Sequence, residues 1–171
     1  TIFLTAISML AFAGNSLLCR MALKLTQVDA ASFTAVRLLS GAVALVLLLW
    51  WRSRAAAVSQ IKAYGNWSSA LALFAYAALF SFAYVGMTAA TGALLLFGAV
   101  QASMIGWGLA RGERLGSWQW VGFVVALAGL VALMLPGFAA PSLGIALTMV
   151  AAGVAWGVYS LQGKASTPGK A

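Results

Sequence analysis

The chain has no histidine, one cysteine (Cys19), three prolines and only two acidic residues, Asp29 and Glu113, in 171 positions. One cysteine cannot close a disulfide within the chain, and without histidine there is no His/Cys metal site. An intramembrane protease would want a Ser/His pair, an Asp pair or a metal. None is available, so no enzyme, no metal and no cofactor is expected. The two acids stand at predicted helix ends, so no carboxylate is expected inside an apolar stretch. A carrier of lipophilic cations generally needs such a carboxylate, because an unpaired charge in low dielectric is costly. Its absence favours neutral, zwitterionic or anionic solutes.

What the chain has instead is apolar length. Hydrophobic residues make up 64% and charged residues 7%, with a mean hydropathy of +1.01. This composition cannot supply the polar shell of a soluble domain. The apolar residues come in blocks close to the ~20 residues that a helix needs to cross a bilayer. Runs such as Ala42–Leu49 do not alternate polar and apolar residues, which excludes barrel strands and leaves helices. The expected fold is an all-α integral membrane protein, a polytopic bundle of about six spans near 2–19, 30–51, 67–86, 90–110, 118–135 and 142–161. The lipid bilayer is then its first partner. The net charge of +8 does not point to nucleic acid, because the basic residues are scattered between spans. Residues 1–19 lack the basic start and clear cleavage site of a signal peptide.

Spans three and four meet around Met87–Thr91 almost without a loop, which predicts a tight antiparallel hairpin. Pro136, Gly137 and Pro141 break the chain after span five. Arg52, Arg54 and Lys62 follow span two, Arg111 and Arg114 follow span four, and Lys164 and Lys170 follow span six. The positive-inside rule therefore places the N-terminus in the cytoplasm. Arg20 and Lys24, read as following span one, count against this. Ala13-Gly14-Asn15-Ser16-Leu17-Leu18 in span one is similar to Trp156-Gly157-Val158-Tyr159-Ser160-Leu161 in span six. A repeat of five helices reverses its orientation on recurring, which gives an inverted repeat; chance similarity of two apolar helices is the alternative.

Several polar and aromatic residues fall inside the spans. Asn15 is an amide in lipid and must find partners, whether a solute or a neighbouring helix. Tyr76, Phe80 and Tyr84 recur every four residues and form one stripe on span three, either the wall of a substrate path or ordinary packing. Phe97 and Gln101 share a face of span four, and the Gln101 amide suits a zwitterion. Trp107 is expected at the membrane interface. Trp156 and Tyr159 share a face of span six beside Gly153-x-x-x-Gly157, a close-packing pattern. Arg37, two turns into span two, costs roughly 2.5–3.5 kcal/mol if held at mid-membrane. It is expected to be structural, with a substrate carboxylate as the other possibility. Glu113 and Arg114 are expected to orient helices at a cytoplasmic turn.

Gly112-Glu113-Arg114-Leu115, Trp118-Gln119-Trp120-Val121-Gly122 and Ala128-Gly129 together resemble the signature between helices four and five of the drug/metabolite transporter superfamily, in its EamA-type ten-helix members. Thr88-Ala89 and Ala93-Leu94-Leu95 resemble the entry to that family's fourth helix, and Arg37 matches a recurrent family arginine. Gly144, Trp156, Tyr159 and Lys164 resemble the opening of its second repeat. The run Asn15-Ser16-Leu17-Leu18-Cys19-Arg20 is similar to bacterial amino-acid exporters of this group, the aromatic amino-acid exporters among them. Two positions depart: Val100-Gln101 stands where the family often has proline, and Ala13 where tryptophan is frequent. The resemblance implies residues 1–135 as a first five-helix repeat and 136–171 as the first helix and tail of an inverted second repeat. Four further spans would follow. It implies an exporter of small metabolites, amino acids foremost, in a bacterial inner membrane. The substrate would meet Asn15, Tyr76, Phe80, Tyr84, Phe97, Gln101, Trp156 and Tyr159, and the remaining half of the transporter, or a second copy, would complete the path. A transporter of nucleotide sugars or other anionic solutes, and a non-transporting scaffold subunit, are the rival expectations.

Overall fold

The computed structural model describes residues 2–52, 66–133 and 141–166. Arg54, Lys62, Pro136, Gly137 and Lys170 lie outside the described residues. Among those described, six helices and no strands occur: α1 (Ile2–Leu25), α2 (Ala30–Arg52), α3 (Trp67–Val85), α4 (Ala89–Ala110), α5 (Ser117–Leu133) and α6 (Leu143–Ser166). All except α5 are long and apolar enough to cross a membrane. The chain is a multi-pass helical membrane protein.

Helix starts follow side-chain chemistry. Asp29 opens α2, accepting from the Ser32 N–H through its carboxylate (2.9 Å) and from the Phe33 N–H through its carbonyl (2.9 Å). The Ser32 N–H, and after it the Ser32 hydroxyl, hold the Asp29 carboxyl below its ordinary value, as a helix N-terminus does for an acid. Asn66 caps α3 by accepting from Ser68 N–H, and Thr88 caps α4 by accepting from Thr91 N–H. The end of α4 explains the Gly-Glu-Arg turn. Gly112 has φ of 87°, the left-handed region. Its N–H donates to the Leu109 carbonyl, and the Glu113 N–H donates to the Gly108 carbonyl. This pair of bonds is a Schellman ending, in which glycine takes the left-handed position at little steric cost.

α1 runs past the expected end at residue 19 to Leu25, which puts Arg20 and Lys24 inside the helix and not in a loop. No glycine or proline interrupts that stretch, and Arg20 has a specific partner. Its Nη1 donates to the Tyr84 carbonyl at the end of α3 (2.8 Å), satisfying a carbonyl that the last turn leaves open. The ends of α1 and α3 therefore lie together, and the two helices run the same way. Conversely, Ser69 at the start of α3 donates to Gln162 near the end of α6 (2.7 Å), so α3 and α6 are antiparallel.

The connection between α3 and α4 is short, as the sequence predicts, but the two helices do not form a tightly packed pair. α6 lies between them and packs far more extensively on each than they do on one another. Small residues are the reason. A Cβ on Gly153 would meet the Leu96 carbonyl oxygen at 2.7 Å and the Ala99 Cβ at 2.6 Å, and one on Gly157 would collide with the Ser103 side chain. Missing side chains let α6 approach the α4 backbone, which is how helices associate in lipid. The core so formed contains Tyr76, Phe80, Tyr84, Leu95, Leu96, Ala146, Met149 and Ala152, together with Cys19 from α1. α2 packs on α3, and α5 on α4.

Candidate functional site

α1, α3 and α6 line an open hollow of about 360 Å³, formed by Ser8, Ala11, Phe12, Asn15, Tyr76 and Trp156. Ser8, Phe12 and Asn15 lie within one face of α1, at spacings of three and four residues. Tyr76 comes from the middle of α3, and Trp156 from α6 beside the close-packed Gly153 and Gly157. The rings fix each other. Trp156 stands 4.5 Å from Tyr76 and 5.2 Å from Phe12, centroid to centroid. Phe97 of α4 closes the group, 5.7 Å from Phe12 in an edge-on arrangement. Such tilted pairs suit the ring quadrupoles and hold the walls rigid.

Polar groups on this wall are differently placed. The Ser8 hydroxyl donates back to the Leu4 carbonyl at 2.9 Å, a common way to satisfy a hydroxyl within a helix. Asn15 is half-buried, lines the cavity and has no hydrogen-bond partner among the described residues. Its amide offers two donors and an acceptor to whatever fills the space. The volume lies within the roughly 300–1,000 Å³ of small-molecule sites, where apolar walls carry a few convergent polar groups.

The eight residues read from the sequence as substrate-binding do not all meet here. Asn15, Tyr76 and Trp156 line the cavity, and Phe97 packs against its wall. Phe80 and Tyr84 continue the aromatic ladder from Tyr76, at 5.4 and 4.6 Å between successive rings, but both are 0% exposed. The Tyr84 hydroxyl donates to the Ala89 carbonyl (3.3 Å), and its ring occupies the space left by Gly92. A tyrosine in the membrane thus hides its hydroxyl on the next helix's first turn. Gln101 lies in a separate groove of about 510 Å³ between α4 and α5, lined otherwise by apolar side chains and glycines, including Phe97 and Phe123. Tyr159 is exposed and lines neither hollow. Phe12 and Ser8 join the site without having been singled out. Their positions three and seven residues before Asn15, on the same helical face, are the signal that could have found them.

The residues expected to be structural also have definite places. The Arg37 guanidinium lies 4.8 Å from the Phe80 ring centroid and 5.4 Å from that of Tyr76. Glu113 lies over Gly108, where a Cβ would stand 2.5 Å from its Oε2. Arg111 stacks on the Trp107 ring at 4.8 Å, anchoring the end of α4 at a charged rim. Arg114 is exposed.

The chain is 58% identical over 164 residues to the uncharacterized protein PA1977 of Pseudomonas aeruginosa. The match covers 96% of the chain and 56% of that relative, so the chain spans little more than half the relative's length. No family model matches the chain, and no solved structure does.

Proposed function

We propose that this chain is part of a transporter that exports small metabolites, amino acids foremost, through the cavity between α1, α3 and α6. The observation that carries the reading is Asn15. An amide inside a membrane span that has no hydrogen-bond partner among the described residues, and that faces a cavity walled by Tyr76, Trp156 and Phe12, is set to hydrogen-bond a solute. A residue serving only to join helices would be bonded to one. The aromatic walls suit an apolar body, and the amide suits the polar groups of a zwitterion. No charged side chain is among the described residues that line the cavity itself, which argues against large polyanionic solutes such as nucleotide sugars.

The family reading supplies the cycle. In a ten-helix transporter of the drug/metabolite superfamily, two inverted five-helix repeats open alternately to either side. Two observations support that reading here. α1 and α6 run in opposite directions, since α1 follows α3 and α6 opposes it. They also meet at Phe12 and Trp156, the first just before one of the two similar segments and the second at the start of the other. The part of the relative beyond the match has room for four more spans. The protein would sit in a bacterial inner membrane with its N-terminus in the cytoplasm, where Arg111 and Arg114 would also lie.

Counterflow in proteoliposomes tests the proposal. Vesicles loaded with a mixture of amino acids are expected to accumulate labelled amino acid, and vesicles loaded with nucleotide sugars are not. Accumulation driven by nucleotide sugars, or no counterflow with any solute, would overturn it.

A further inference from the structure

The geometry points to Arg37, which lies behind Tyr76 beside this cavity, as a carboxylate-binding residue, an inference that rests on the transport reading. Arg37 lies two turns inside α2, in an apolar span that is exposed along most of its length. Its Nη1 is buried and has no hydrogen-bond acceptor. The guanidinium lies against the rings of Phe80 and Tyr76, which offer a cation the face of an aromatic but no negative charge. The Tyr76 hydroxyl is its polar neighbour.

The chain has no acid to pair with it. Asp29 is exposed at the start of α2 and engaged with Ser32, and Glu113 belongs to the turn after α4. A half-buried arginine whose buried Nη1 has no partner among the described residues, in a chain that offers it no carboxylate, is a site that a solute carboxylate would complete. Tyr76 connects it to the cavity, since the same side chain lines the hollow with Asn15 and Trp156 and borders the guanidinium. A solute entering with its apolar body against Phe12 and Trp156 would bring its carboxylate past Tyr76 to Nη1, leaving the Asn15 amide for a second polar group. The specificity that follows is for compounds bearing a carboxylate, with or without an amine.

Competition for counterflow in proteoliposomes tests this with three probes that share a phenylethyl body: L-phenylalanine, 3-phenylpropionate (no amine) and phenethylamine (no carboxylate). The two carboxylates are expected to compete, and phenethylamine to compete about tenfold or more weakly, as expected when a charged hydrogen bond is lost. Arg37→Gln should erase that preference, and Arg37→Lys should keep part of it, because the charge remains without the fork. The wild-type comparison needs no variant, so a misfolded Arg37→Gln leaves the test intact. Phenethylamine competing as well as 3-phenylpropionate overturns the role of Arg37 while leaving transport standing. Failure of all three probes in vesicles that carry other amino acids also overturns it, and absence of any amino-acid flux brings down the transport reading too.

Discussion

Gly153→Leu is expected to prevent α6 from docking on α4 and to remove most of the folded protein. The position has no room for a side chain. Even a Cβ would stand 2.7 Å from the Leu96 carbonyl oxygen and 2.6 Å from the Ala99 Cβ, and a backbone oxygen cannot turn aside as a flexible side-chain tip can. Overpacking a formed interior costs about 1–3 kcal/mol, occasionally more, and here the obstruction is partly main chain. The consequence spreads, because α6 is also the main partner of α3 and carries Trp156 into the cavity. Gly144→Leu is the matched control. Gly144 begins the same helix, and its Cβ would meet nothing within 4 Å. Size-exclusion profiles and thermal stability in detergent should separate the two: an aggregated or strongly destabilised Gly153→Leu beside a Gly144→Leu close to wild type. Equal behaviour would contradict the packing described for α6.

Asn15→Ala is expected to lower amino-acid flux by about tenfold to a hundredfold, the loss of one hydrogen bond to a charged group, while leaving the folded protein intact. Both halves of this expectation follow from one fact. The Asn15 amide bonds to no other helix among the described residues, so its removal orphans nothing there and takes away what the solute would use. Flux is read by counterflow and folding by thermal stability. A variant that loses stability and flux together would show that Asn15 joins helices after all.

The helices were legible because lipid imposes a simple rule, that apolar length becomes helix. The starts of α2, α3 and α4 follow Asp29, Asn66 and Thr88, and the turn at Gly112 follows the need for a left-handed residue. The end of α1 was not legible. Arg20 reads as a loop charge until the Tyr84 carbonyl, 64 positions away in sequence, is seen to hold it. For the same reason Arg20 is a poor guide to orientation, since its place is set by a helix end as well as by the charge rule. Nor did the short connection at Gly86–Thr88 reveal that α6 would come between α3 and α4. The cue was present in Gly153 and Gly157, but a small-residue face announces close approach without naming the helix approached.

The site was half legible. Periodicity places Tyr76, Phe80 and Tyr84 on one stripe, and they do form one ladder. It cannot say where along that ladder the protein stops and the cavity begins. That boundary depends on Gly92, which lets α4 close over Tyr84, and on Trp156, which packs on Tyr76 at the edge of the hollow. Asn15 was found by its chemistry, because a lone amide in an apolar helix needs a reason. Gln101 satisfies the same criterion yet faces the groove between α4 and α5, since helical spacing fixes a face but not its neighbour.

Thiol accessibility at position 15 tests the central claim most directly. The one thiol of this chain, Cys19, is buried, so Asn15→Cys in a Cys19→Ser background, with every cysteine of any remaining sequence also replaced, carries one reporter. Methanethiosulfonate reagents that do not cross lipid react with a thiolate in water. The account predicts labelling of Cys at this position in intact membranes, slowed when a transported amino acid is present. A thiol that stays unreactive from both sides of the membrane, in protein that is folded, would mean a dry helix contact in place of a solute cavity.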